Sequence, residues 1–478
     1  MPSEFRINHE QRNPDPKGPV GAVPDDGRRL LTLIVDAVEY PNAQGVAAAV
    51  GRLISSGELA EGQRLPTVRA IARELAVSPT TISDAWQILG RGRAIDTRGR
   101  QGTFVGNHEG VRRRQRFWQI YPSELDTGLD LSEGVPDPEL LPSLGPILAG
   151  FSDQPFTSSY LDDPVLPPLR ELLQGRWPFP AEAMTVVNGA LDALDRICAT
   201  SLRVGDRVVV EDPGFPPLFD LLEAHGIEPV GVRMDAEGIR PDDLERAVER
   251  RVQAVFLQPR SHNPTGVDMS SRRRDELASI LAGTGILVVE DDHSGDLSIG
   301  EPISLGEPLA DTTVRIQSFS KSHGPDLRLA AVGGARQPIA ELVTRRRLGS
   351  SWTSRLLQQL LLEMLRDEAV AAGVTRAGET YRQRRRLVTE VLDEHGIRYT
   401  GSTGLNLWVE VDDERSALVS LAAQGIGVAP GSPFQLTRSD TTTRPHIRVT
   451  TGVLTQNHRE IAAHLVRAAR PLPTRTAV

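Results

Sequence analysis

The 478-residue sequence predicts a mixed α/β protein built in two unlike parts, and three observations carry that reading. From about Leu129 onward, short β-branched runs alternate with amphipathic helical stretches, the pattern of an α/β sheet flanked by helices. Ahead of it, residues 41–106 hold three short helical patterns followed by a Gly- and Arg-rich hairpin. The length itself exceeds one ordinary domain and calls for two or three.

Residues 1–40 begin with Pro, Asn, Asp and Gly and pass into a short helical pattern, RRLLTLIVDAVEY; they read as a loosely attached extension. From Gly45, GVAAAVGRLISSGEL has helical period, and LPTVRAIARELAV repeats it with Leu65, Val68, Ile71, Ala72 and Leu75 on one side. In SPTTISDAWQILG, Ser78 suits an N-cap and Pro79 the first helical position. Ile82, Ala85, Trp86 and Leu89 form the apolar stripe, and Gly90 ends it. RGRAIDTRGRQGTFVG then supplies two strands around a basic tip. Three short helices and such a hairpin make a winged helix-turn-helix with the helix after Ser78 as its recognition element. Arg69, Ser78, Thr80 and Thr81, with Arg98, Arg100 and Gly102 in the wing, are its candidate DNA contacts.

Residues 107–128 read as a linker, whose basic run Arg112–Arg116 suits either a solvated face or a DNA backbone. In residues 129–478, DRVVV, QAVFL, GILVVE, VRIQSF and LAAVGG are the expected strands of a doubly wound sheet. PDDLERAVERRV and SSRRRDELASILAG are among its helices. After SRLLQQLLLEMLRDE, the runs GLNLWVEV, GIGVAPG and HIRVTT predict a smaller α+β part.

Composition narrows the class. Hydrophobic residues at 39% and charged residues at 24% are globular values, and no apolar run is long enough to span a bilayer. The first residues lack the apolar core of a signal peptide, so a cytoplasmic protein is expected. One cysteine, Cys198, allows neither an intrachain disulfide nor a metal cluster and reads as a small buried side chain; no metal is expected. The net charge of −9 is uneven: Gly51–Arg116 carries twelve arginines against six acids, a local +6. That asymmetry suits a polyanion bound at one end only.

Cations are almost all arginine; the lysines are Lys17 and Lys321. Lysine differs from arginine in being able to lose its proton and act as a nucleophile, so Lys321, in SFSKSHGPDLRL, suggests amine chemistry. Ligands of open α/β sheets bind beyond the carboxyl ends of strands. There DRVVV runs into EDPGFP, QAVFL into QPRSHNPTG, GILVV into EDDHSGD and VRIQ into SFSKSHGPDLR. An aromatic face, an amide, carboxylates, a lysine, hydroxyls and an arginine together suit a flat, phosphorylated, electron-poor ring joined to an amine.

In this order DPGFP, HNPTG, EDDxxxxD and SFSKxxxPxLRL resemble the fold type I aminotransferases that use pyridoxal 5′-phosphate (PLP). Preceded by LPTVRAIARELAVS and the GTFV wing end, the chain resembles the MocR subfamily of GntR-type transcription regulators over nearly everything after Gly45. The resemblance implies an N-terminal winged helix-turn-helix joined to an aminotransferase-like unit, itself a large α/β sheet domain and a small C-terminal α+β domain. It implies that Lys321 forms the internal aldimine with PLP, Asp291 pairs with the ring nitrogen, Asn263 bonds the ring hydroxyl oxygen and Phe215 stacks on the ring. Ser318, Ser320, Arg328 and the backbone of Gly189 and Ala190 hold the phosphate, and Tyr160 reaches a neighbouring subunit's phosphate. Arg448 grips an effector carboxylate.

Three departures are informative. His293 stands where the family has a tyrosine beside the PLP hydroxyl; Asp163 and Val165 replace a preferred proline and glycine; and Pro79 replaces an arginine that commonly touches DNA. Function is expected to be that of a homodimeric, head-to-tail regulator that binds operator DNA and senses an amine, an amino acid or PLP itself. The alternatives are a true aminotransferase and a regulator that has lost PLP.

Overall fold

The computed structural model describes residues 25–60, 62–91, 94–97, 102–106, 115–120, 128–150, 159, 161–298, 300–436 and 444–470. The chain divides into two compact units, Met1–Val111 and Arg112–Val478.

The first unit packs helices Asp25–Ala37, Ala43–Ser55, Val68–Glu74 and Pro79–Arg91 beside a hairpin of strands Ile95–Thr97 and Thr103–Val105. The strands pair antiparallel, with Ile95 opposite Val105. Asn42 caps the second helix and Thr67 the third, each accepting a backbone N–H three residues on. Ser78 Oγ accepts the N–H of Thr81 at 3.0 Å, and Pro79 opens the fourth helix as expected. That helix runs to Arg91, one residue past the expected end, because Gly90 keeps helical geometry. The expected loose extension is corrected over residues 25–37: they form a helix whose Ile34 is fully buried against Val46, Val50 and Ile71. Burying such a side chain stabilises by about 1.5–3 kcal/mol, and Leu30, Leu31, Leu33 and Ala37 of the same helix pack against that core.

In the second unit an eight-stranded sheet runs in the order Ala183–Val187, Ala330–Gly334, Thr313–Ser318, Leu287–Asp292, Ala254–Leu257, Arg207–Asp212, Glu228–Asp235 and Gly238–Ile239. The pairings from Thr313–Ser318 through Glu228–Asp235 are parallel. Ala330–Gly334 lies antiparallel between Thr313–Ser318 and Ala183–Val187. All five expected strands are therefore present. The central ones, such as Ala254–Leu257, are buried throughout, which is why they read as continuous apolar runs rather than alternating ones. Cys198 sits in this core at 1% exposure, where burial pushes its thiol up to about 12.

The long helix Glu368–Glu394 leads to a four-stranded sheet of Tyr399–Thr400, Asn406–Glu410, His446–Thr450 and Ala429–Pro430. This is the expected smaller α+β part, covered by the helices Glu414–Ala422 and His458–Ala469.

The linker reading is corrected at residues 115–120. Helix Arg116–Gln119 docks on the second unit: the N–H groups of Arg116 and Phe117 donate to the Asp220 carboxylate, and the Arg116 side chain pairs with Glu223 at 2.6 Å. Arg116 is therefore a paired, half-buried charge rather than a freely solvated one. Arg112, Arg113 and Arg114 lie outside the described residues. No described helix is long and apolar enough to cross a membrane.

Candidate functional site

The parallel strands end on one edge, and their last residues converge there. Asp291, the fifth residue of Leu287–Asp292, lies in register with Ile316, and Ser318 closes the neighbouring strand. Asp291 is 5% exposed: its Oδ2 accepts from Gln258 Nε2 at 2.8 Å, while its buried Oδ1 has no hydrogen-bond partner. Burial first pushes this carboxyl up to about 6, against the opposing pull of Gln258 and Lys321. Phe215, at the N-terminus of helix Pro216–Ala224, lines one cavity with Asp291, Gln258 and Glu211.

Lys321 follows the strand Thr313–Ser318. Burial, then the Arg448 guanidinium, push its amine down to about 8, while Asp291 pulls the other way. Part of the Lys321 population is thus uncharged near neutral pH, as a nucleophilic amine needs. His293, half-buried just beyond Asp292, is held well below the usual histidine range by burial and then by Lys321; its buried Nδ1 is unpartnered. It is neutral at pH 7.

Pro325 opens a short 3-10 turn, Pro325–Leu327, after which Arg328 takes a left-handed backbone at φ 47°. The Arg328 guanidinium thereby comes to 3.9 Å from where a Cβ on Gly189 would stand. Gly189 has φ +100° and caps helix Ala190–Ser201, a geometry glycine adopts without the strain other residues would bear. An exposed guanidinium beside a helix N-terminus makes a place for an anion. Ser318 is buried, with its hydroxyl accepting the Ser320 N–H at 3.3 Å.

Arg448, in the strand His446–Thr450, is 2% exposed and sits 4.8 Å above the Phe434 ring. Its Nη1 donates to Asn263 Oδ1 at 3.0 Å, and its Nη2 to the Ser132 carbonyl. Lys321, Asp291, His293, Asn263 and Arg448 thus form one group, and Arg328 lies beside Gly189 at the start of helix Ala190–Ser201. Tyr160, Arg98 and Arg100 lie outside the described residues. In the first unit Arg69, Ser78 and Thr80 are exposed and Thr81 half-buried. Gly102 has φ +111° and packs under the Arg64 side chain.

Sequence reasoning passed over Gln258, which joins two of the chosen residues: its Oε1 accepts the Asn263 N–H at 2.9 Å while its Nε2 holds Asp291. Its position five residues before Asn263, at a strand end, was the available signal. The second aspartate of EDDHSGD, Asp292, is not a solvated loop acid. It is fully buried, paired with Arg260 at 2.5 Å and with Arg315. Where Asp163 and Val165 depart from the family, Asp163 accepts the Val165 N–H and pairs with Arg170, and Val165 is fully buried.

Residues 127–465 match the family model for aminotransferase class I and II, and residues 42–105 that for bacterial regulatory proteins of the gntR family. The chain is 34% identical over 411 residues, 83% of its length and 92% of the relative's, to the vitamin B6 salvage pathway transcriptional repressor PtsJ of Salmonella typhimurium. It belongs to the MocR-type GntR regulators. A second relative is the HTH-type transcriptional regulator TauR of Rhodobacter capsulatus, 27% identical over 80% of this chain and 87% of its own. The fold resembles Pyrococcus horikoshii kynurenine aminotransferase (TM-score 0.65, 21% identity, 76% of this chain and 95% of that one). It also resembles an archaeal alanine:glyoxylate aminotransferase (TM-score 0.65, 22% identity, 80% and 96%).

The chain is accordingly a DNA-binding transcription regulator carrying a PLP-binding, aminotransferase-like domain. The residues present fit PLP on the structure's own terms: a buried carboxylate oxygen without a partner, a depressed lysine amine, and an exposed guanidinium beside a helix N-terminus.

Proposed function

We propose that this regulator uses PLP at Lys321 as the sensing element of a homodimer, and that PLP supply, or a carboxylate-bearing amine taken up through PLP, sets its affinity for operator DNA. PLP supplies, when bound, an electrophilic carbonyl that takes up primary amines covalently and a ring that withdraws electrons. The chain's own residues would do the rest. Lys321 attaches the group, Asp291 holds a proton at the ring nitrogen, and Asn263 orients the ring oxygen. Phe215 covers one ring face, and Arg328 with Ser318, Ser320, Gly189 and Ala190 takes the phosphate. His293 supplies a neutral imidazole in place of a phenol.

The observation that carries the reading is the unpartnered Oδ1 of Asp291, since a buried carboxylate left half-satisfied asks for a ligand donor. The name of the Salmonella relative favours vitamin B6 supply as the regulated process. The position of Arg448 beside Asn263 favours an effector with a carboxylate, gripped by a guanidinium that is already oriented. In either case the ligand must bind two conformations with different affinity to change DNA binding.

The test is spectroscopic and electrophoretic. Purified protein should show the visible band of lysine-bound PLP, absent in Lys321→Ala. Binding to DNA upstream of its own and adjacent genes should weaken with salt and change on adding PLP or amino acids. A Lys321→Ala protein that keeps the band removes the cofactor assignment. Efficient multiple-turnover transfer of amino groups to keto acids would favour an enzyme instead.

A further inference from the structure

Among the buried arginines of the second unit, Arg385 stands apart. Arg315 and Arg260 pair with Asp292, Arg273 with Asp235, and Arg346 donates to the Val186 carbonyl. Arg385, on the long helix Glu368–Glu394, is 5% exposed, and its Nε and Nη2 are buried without a hydrogen-bond partner. A buried guanidinium with two unmet donors carries a desolvation cost, so its retention asks what those donors meet.

It faces a cavity. An open basin of about 430 Å³ and an adjoining recess of about 60 Å³ share Arg382, Arg385 and Ser402 as walls. Hydroxyls stand among apolar walls such as Val267 and Leu405: Thr389 and Thr400 in the basin, Ser261 and Thr403 in the recess. The nearby acid, Asp268, makes no hydrogen bond to Arg385; its Oδ1 accepts from the Ser261 N–H and the Thr403 hydroxyl, each at 2.6 Å. Arg386, also in the basin wall, pairs with Glu390 at 2.8 Å. Burial pushes the Arg385 guanidinium down to about 10, with Asp268 opposing and Arg382 adding to the effect. None of these residues belongs to the group around Lys321.

We propose that this basin is a second ligand site, specific for a small phosphate-bearing anion, with Arg385 as the buried anchor and Arg382 at the solvent side. Two guanidiniums match the charge of a phosphate dianion, their planar forks match its oxygens, and the surrounding hydroxyls supply further donors. The volume admits a phosphate monoester as well as free phosphate. Occupancy would tie the long helix to the turn Gly401–Thr403, whose Ser402 and Thr403 N–H groups already bond Gly266. Ser261, in the same wall, is two residues from Asn263.

The test uses the full-length protein preloaded with PLP, so that the phosphate cup at Arg328 is filled. Inorganic phosphate and glycerol 3-phosphate are titrated against sodium chloride at matched ionic strength, read by calorimetry and thermal melting. A saturable rise in melting temperature is expected with either phosphate and not with chloride; tighter binding of glycerol 3-phosphate identifies a monoester site, equal binding a free-phosphate site. Arg382→Gln should weaken binding at least about tenfold. Arg385→Met should abolish it while melting no lower than the parent without phosphate, because it removes an unpaired buried charge. No saturable effect up to ~50 mM phosphate, or full binding retained in Arg382→Gln, reduces Arg385 to a hydrated arginine and overturns the proposal. Should Arg385→Met fail to fold, the Arg382→Gln titration decides alone.

Discussion

Gln258 Nε2 donates to Asp291 Oδ2 at 2.8 Å, leaving Oδ1 as the carboxylate's one unmet acceptor. Gln258→Ala therefore strips Asp291 of its remaining side-chain donor and frees the Asn263 N–H from its acceptor. A lost hydrogen bond to a charged group is worth about 1.5–3 kcal/mol, so PLP affinity should fall by roughly tenfold to a hundredfold. Equilibrium titration of the visible band measures it; Gln258→Glu, which restores an acceptor but not the donor, should bind no better.

Asp291 carries a pH prediction for the PLP-free protein. Its folded value of about 6 lies above the unfolded 3.8, so the native state holds the proton longer. Its contribution is favourable below about pH 4, is lost as pH rises through 6, and amounts to on the order of 3 kcal/mol. Asp291→Asn should accordingly be more stable than the parent at pH 7, flatten the urea-unfolding profile between pH 4 and 6, and fail to hold PLP. A variant less stable at pH 7 would refute the assignment of this cost to Asp291.

Lys321 has the opposite window. Its folded value of about 8 lies below the unfolded 10.5, so the unfolded chain binds the proton more readily between them. Stability of the PLP-free protein should rise with pH from 8 toward 10.5, and Lys321→Met should remove that slope. Denaturant midpoints across this range provide the measurement.

Gly189→Ala places a methyl group at φ +100° beside the Arg328 guanidinium. The backbone strain costs about 1–3 kcal/mol and falls at the helix start that the Arg328 guanidinium approaches. PLP should then dissociate at least about tenfold faster, while DNA binding in the PLP-free state is unchanged. Stopped-flow transfer of PLP to an acceptor apoenzyme reads the rate.

Ser78 separates stability from DNA contact. Its Oγ accepts the Thr81 N–H, so Ser78→Ala should destabilise the first unit by about 1 kcal/mol. Ser78→Asp keeps a capping acceptor and adds a negative charge at the helix start, so melting should stay near the parent value while operator binding falls. Loss of binding in Ser78→Ala with binding retained in Ser78→Asp would point to the cap alone.

The sheet was legible because its central strands are buried on both sides and read as continuous β-branched runs, with the ligand-facing residues next in sequence. Lys321 was legible because arginine is used almost everywhere else. What the sequence hid were partners far along the chain. Asp292 sits in an acidic loop motif yet meets Arg260 and Arg315, 32 and 23 residues away. Arg116 looked like part of a solvated basic run until Glu223 and Asp220 appeared beside it. Residues 25–37 showed their helix, but not that Ile34 fills the head's core. Arg385, inside RQRRR, reads locally as one more exposed charge; only the fold turns it inward.

The antiparallel strand Ala330–Gly334 has a mechanical consequence. Ser318 pairs with Ala330, and the Phe319 N–H donates to the Leu329 carbonyl at 3.1 Å, so the segment carrying both Lys321 and Arg328 is closed at its base like a drawn purse. A tug on the amine end is shared with the guanidinium end before it reaches the sheet. Whatever engages Lys321 therefore reaches Arg328 along the continuous backbone between them, and reaches Gly189, at the start of helix Ala190–Ser201, across the non-bonded approach of the guanidinium.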